Sequence, residues 1–86
     1  MPKRTVVDHR LKMKPVPVRF TDGTSREGKA EGNNAAWRCR CGELLVGRCY
    51  FQFGDTCYTE CPRCGMRFRV VGDEKKRATE VMEEAS

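Results

Sequence analysis

All six cysteines of this 86-residue chain fall between residues 39 and 64. "CRCG" (Cys39 to Gly42) and "CPRCG" (Cys61 to Gly65) stand at the ends of that stretch, with Cys49 and Cys57 between them. Thiolates are metal ligands, and a tetrahedral zinc site needs four of them at about 2.3 Å from the ion. Two cysteines close in sequence supply half of such a site only if the chain turns sharply between them. Pro62 favours that turn, and Gly65 permits the positive φ that aims backbone amides at sulfur. Gly42 occupies the same place after Cys41. The spacing therefore predicts Cys39, Cys41, Cys61 and Cys64 as the ligands of one structural zinc ion. The C-x-C pair is one residue shorter than its counterpart, and the Cys57-x3-Cys61 spacing leaves open a second set in which Cys57 replaces Cys39.

Cys49 and Cys57 then need another role. "CYFQF" (49–53) alternates like a half-buried strand and runs into Gly54-Asp55, a hairpin turn signal, with "TCYTE" returning as its partner. A two-residue turn there would pair residue 52 with 57 and put Cys49 opposite Glu60. The two thiols would point to opposite faces. That geometry predicts two separate thiols, at least one of them a small buried hydrophobe, and not a disulfide. A second metal site lacks ligands, because His9 is the one histidine of the chain.

The rest of the composition explains why a staple is needed. Hydrophobic residues make up 38% and charged residues 34%, and a domain this short buries little surface. With no signal-peptide-like apolar run at the N-terminus and no stretch of membrane-spanning length, we expect a cytoplasmic protein with reduced thiols and no membrane partner. The formal net charge is +5, with eight Lys or Arg against three acids over residues 1–29. Residues 73–86 carry an excess of acids. Four thiolates on a divalent ion would add a further −2.

The elements around the cysteines divide the chain. Residues 1–15 read as a flexible basic arm. Over residues 16–34, "VPVRF" alternates as a short strand, placed at an edge by Pro17, and a glycine-rich loop with no large apolar side chain follows. Residues 35–72 hold the cysteine knuckles, and Met66, Phe68 and Val70 alternate with Arg67 and Arg69 in a further strand. Residues 73–86 consist of helix formers after a candidate N-cap, Asp73. Ala78, Val81, Met82 and Ala85 mark one face of a C-terminal α-helix. The expected fold is thus a small metal-bound β structure, a hairpin or three-stranded antiparallel sheet, with that helix and the basic arm.

Between Trp37 and Val71 the chain resembles the zinc-ribbon class, in which two cysteine knuckles cap a small sheet around one structural zinc. In size and in "CPRC" it is also similar to the Com-type zinc-finger translational activators of phage. Rubredoxin-like proteins use related knuckles to hold iron, but with two C-x-x-C-G turns, from which "CRCG" departs.

A closed four-cysteine site has no open coordination position to activate water. No paired carboxylates or phosphate loop accompany it, so we expect no enzyme and no small-molecule substrate. Binding is the remaining class. Arg40, Arg48, Arg63, Arg67 and Arg69 on the ribbon, with Lys3, Arg4, Arg10, Lys12 and Lys14 on the arm, suit phosphate contacts, and Tyr50 and Tyr58 suit base stacking. These residues predict a small nucleic-acid-binding regulator, with DNA and RNA equally open. The alternative is a protein-interaction module that docks on a larger machine through the 73–85 helix or the Val16–Phe20 strand.

Overall fold

Residues 13–73 and 75–85 are described in a computed structural model. The predicted arm contacts Lys3, Arg4, Arg10 and Lys12, and His9 with them, lie outside the described residues. Seven strands form one sheet: β1 Lys14–Arg19, β2 Ser25–Glu31, β3 Asn34–Arg38, β4 Leu44–Arg48, β5 Cys57–Glu60, β6 Arg67–Gly72 and β7 Ala78–Glu84. Their order across the sheet is β4-β3-β2-β1-β7-β6-β5. Two antiparallel meanders, β1–β4 and β5–β7, are therefore joined side by side through a parallel contact of β1 with β7 at Val18–Val81 and Arg19–Met82. The sheet curls until its two edges, β4 and β5, meet, giving a nearly closed barrel.

Alternation decides which side chains fill the barrel. Val16, Val18, Phe20, Trp37, Leu45, Phe68, Val70 and Val81 point inward and are buried. Trp37 and Phe20 both meet the Phe68 ring edge-on, at centroid distances of 5.7 and 6.2 Å. A single tryptophan at the centre of so small a core forces its neighbours to be small. A Cβ on Gly28 would lie 3.2 Å from the Trp37 Cβ, and one on Gly47 would lie 2.9 Å from the far end of the indole.

That crowding corrects the expected loop at 24–34. The segment forms β2 and the first residue of β3, joined by a two-residue turn at Gly32-Asn33 in which Gly32 has φ +59°. Its inward residues are Gly28 and Ala30, so no large apolar side chain marks it as a strand. Nor is β1 an edge strand, since it lies at the centre of the sheet. Pro15 and Pro17 are accommodated because β7 joins β1 only at Val18 and Arg19, which leaves one side of the strand open beside the prolines.

The C-terminal α-helix is also corrected, because residues 78–84 are strand β7, hydrogen-bonded between β1 and β6. No α-helix occurs among the described residues. Here helix propensity yields to the sheet, which would otherwise be split between β1 and β6. Two features hid the strand. A register irregularity at Val71/Gly72 interrupts the alternation, so that Ala78, Val81 and Glu83 are the buried residues, and one of those three is charged. The expected hairpin or three-stranded sheet is accordingly a seven-stranded one.

Candidate metal centre

The turn between β3 and β4 is the first knuckle. Its amide hydrogen bonds run from Gly42 to the Cys39 carbonyl and from Cys39 to the Glu43 carbonyl, both at 2.9 Å. The second knuckle joins β5 to β6, with the Gly65 amide on the Cys61 carbonyl and the Cys61 amide on the Met66 carbonyl, both at 2.8 Å. Gly42 and Gly65 take φ of +95° and +80°, which a side chain would strain. Each turn directs two sulfurs to the same point.

The four thiols that converge are Cys39, Cys41, Cys61 and Cys64, whose Sγ atoms all lie within 4.8 Å of one another. Cross-knuckle separations are 3.3 Å for Cys39–Cys64 and 3.6 Å for Cys41–Cys61. A tetrahedron of thiolates at about 2.3 Å from an ion has edges of about 3.8 Å. The cluster thus has the dimensions of a four-cysteine metal site, and the donor set is soft. Backbone amides stabilise the thiolate form: Cys41 N–H on Cys39, Glu43 N–H on Cys41, and the Cys64 and Arg63 N–H groups on Cys61.

The four sulfurs are not equivalent without metal. Burial pushes the Cys39 thiol up to about 12, with neighbouring thiols adding to the effect. Burial also raises Cys61, but amide donors from Cys64 and Arg63, with the Cys41 and Cys64 thiols, outweigh it and bring Cys61 down to about 7. At Cys41 the Glu43 amide favours the thiolate, yet burial and the Cys61 thiol leave its pKa raised.

Cys57 is not a ligand. It is bonded to Cys49 in a disulfide, with a Cα–Cα distance of 5.5 Å. This corrects the expectation of two separate buried thiols, and with it the expectation that all the cysteines are reduced. The predicted hairpin at Gly54-Asp55 does not form: residues 51–53 make a 3₁₀ turn closed by Gly54, and β5 pairs with β6 instead. Freed from that register, Cys49 comes round to face Cys57 across the β4–β5 seam. A Cβ on Gly47 would lie 2.9 Å from the Thr59 hydroxyl, so the two strands also approach each other there. The Arg48 side chain turns toward β3, its Nε donating to Asn34 Oδ1 at 2.8 Å.

The predicted nucleic-acid contacts divide. Tyr50, Tyr58, Arg48, Arg63 and Arg67 are exposed, and the Arg67 guanidinium lies 5.1 Å over the Tyr58 ring. Arg69 is half-buried with its Nη2 on the Met82 sulfur at 3.6 Å. Lys14 opens β1, three strands away from β4, beside Lys75 and Arg77. Arg40 does not belong to this surface. Its Nε reaches both oxygens of Glu83 at 3.1 Å, and its Nη1 reaches Asp22 at 3.1 Å.

Asp22 was legible only as part of a turn with Gly23, and Glu83 carried no signal because the helical reading put Ala78, Val81, Met82 and Ala85 on the packed face. No helix among the described residues is long and apolar enough to cross a membrane. Comparison with protein-family models, with curated proteins and with solved structures found no match to this chain. The zinc-ribbon likeness extends to the two cysteine turns, while the sheet they join has seven strands.

Proposed function

We propose that this protein is a non-catalytic binding module, stapled by one zinc ion at Cys39, Cys41, Cys61 and Cys64, that takes nucleic acid on the outside of the β4–β5 seam. Four thiolates around zinc leave no position for substrate, so the ion supplies structure by joining the two meanders. The observation that carries the binding surface is the exposed Arg67 guanidinium 5.1 Å over the Tyr58 ring on the β5 side, with the exposed Arg48, Tyr50 and Phe53 on and just after β4, the last two rings 6.4 Å apart. Guanidinium groups suit phosphate, and exposed rings give bases a platform. The formal charge of +5, with the −2 of four thiolates on a divalent ion added, remains positive and is favourable for a polyanion.

A titration of short single-stranded and duplex oligonucleotides at several salt concentrations tests this. Binding is expected to weaken steeply with salt, and the charge reversals R48E and R67E are expected to weaken it by tenfold or more together. Absence of binding at low salt from both kinds of oligonucleotide would reject it.

A second reading has its own support. Leu44 and Val46, 55% and 66% exposed, stand on the same outer face of β4 and have no use in stacking or phosphate contact. An aliphatic pair beside Tyr and Arg suits a protein partner. A pull-down that survives nuclease and depends on Val46 would favour this reading over nucleic acid.

A further inference from the structure

We infer that Arg40, oriented by the buried Glu83, positions the C-x-C knuckle for metal binding. This rests on the metal part of the reading above and is independent of what the module binds.

Arg40 is the single residue between the ligands Cys39 and Cys41. The Glu83 side chain is 0% exposed, an unusual place for a carboxylate. Burial of that charge is unfavourable unless every oxygen is engaged. Arg40 Nε lies 3.1 Å from both oxygens, and Oε1 also accepts the Thr21 amide and hydroxyl at 2.9 Å each. The guanidinium continues to Asp22 at 3.1 Å and lies 5.2 Å over the Phe20 ring. Planar donors on two carboxylates and an aromatic face fix its orientation in a way that an ammonium group could not.

The position of this network gives it a consequence for the metal. Four thiolates and a divalent ion carry −2, and a buried carboxylate at the same end of the barrel would add to that repulsion. Glu83 is tolerable there as the anchor of a cation. Arg38, on the other side of Cys39, donates to the Gly42 carbonyl at 2.9 Å and holds the turn itself. Through Arg40 the knuckle of the first meander is tied to β7 of the second and to the β1–β2 turn, so Arg40 acts as a positioning residue beyond the ligands.

Cobalt(II) titration of the full chain, in competition with a chromophoric chelator, tests the inference. R40Q and E83Q are each expected to lower cobalt affinity by roughly ten- to a hundredfold. The double variant should lose no more than the larger single effect. R40K, which keeps a cation on the buried Glu83, should retain more affinity than R40Q. K29Q, exposed on β2 and outside the network, should bind as wild type. If E83Q does not fold, R40Q and R40K carry the test. Unchanged affinity in R40Q, or additive losses in the double variant, would overturn the inference while the metal reading stands. A wild-type chain that takes up no cobalt would overturn both.

Discussion

The two ends of the β4–β5 seam use one amino acid in two chemistries. At one end the β3–β4 and β5–β6 turns bring four thiols together; at the other, Cys49 and Cys57 close a disulfide just past the end of β4 and at the start of β5. A metal cluster needs sulfurs to converge from different directions, so it draws on turns whose glycines allow the backbone to curl round them. A disulfide needs only two positions opposed across a register, with Cα atoms near 5.5 Å. Neither clasp is found in the interior of the seam, where Gly47 and Thr59 lie in contact. Both lie where the edge strands would otherwise splay apart.

If the ends differ in this way, their removal should differ in kind. Loss of the cluster is the larger effect. C61S should abolish stoichiometric zinc or cobalt uptake, and with it the cooperative thermal transition, because structural zinc contributes on the order of 10 kcal/mol to small domains. Chelator titration followed by circular dichroism reads this, and a chelator-treated chain with an unshifted transition would place stability elsewhere.

Next comes acidity, which should affect one clasp and spare the other. Metal binding displaces protons from the thiols, and Cys39, raised to about 12, must give one up at any working pH. Cys61, lowered to about 7, adds a further proton once the pH falls below that value. Cobalt affinity should therefore rise with pH, by at least about tenfold per unit, and more steeply below neutrality. The disulfide has no such dependence, so acid should release metal while the Cys49–Cys57 bond survives on mass spectrometry.

The smallest effect belongs to the disulfide. Its sequence separation of 8 implies a small loop, and chain entropy assigns such a loop about 2.5 kcal/mol. C49S/C57S should lower the melting temperature yet keep full metal uptake. With the disulfide formed, the Cys49 sulfur lies 3.4 Å from the Asp55 carbonyl, an acceptor within reach of the thiol that reduction would create. Loss of metal binding in the double variant would show that the two ends act as one unit.

How far the sequence disclosed this molecule varies with the range of the contacts involved. The knuckles were legible because every feature they need, thiols and glycine with Pro62 in the second, lies within five residues. The β6 alternation of Phe68 and Val70 against Arg67 and Arg69 was legible for the same reason. β2 was not, because its inward residues had to be small to make room for a tryptophan that comes later in the chain. β7 was not, because a register irregularity and a buried Glu83 replaced the expected alternation with spacing that also fits a helix. The Cys49–Cys57 bond depends on two strands that are neighbours only because the sheet curls.

By itself the sequence determined that thiols on two tight turns form the site, with Cys39 or Cys57 open as one ligand, since ligand spacing and turn chemistry are local properties of the chain. Tertiary structure decided the rest: which strands border the seam, that Arg40 faces a buried carboxylate and not solvent, and that the C-terminal segment completes a sheet. Those outcomes depend on which groups are buried together, and burial is set by partners distant in sequence, which no local pattern encodes.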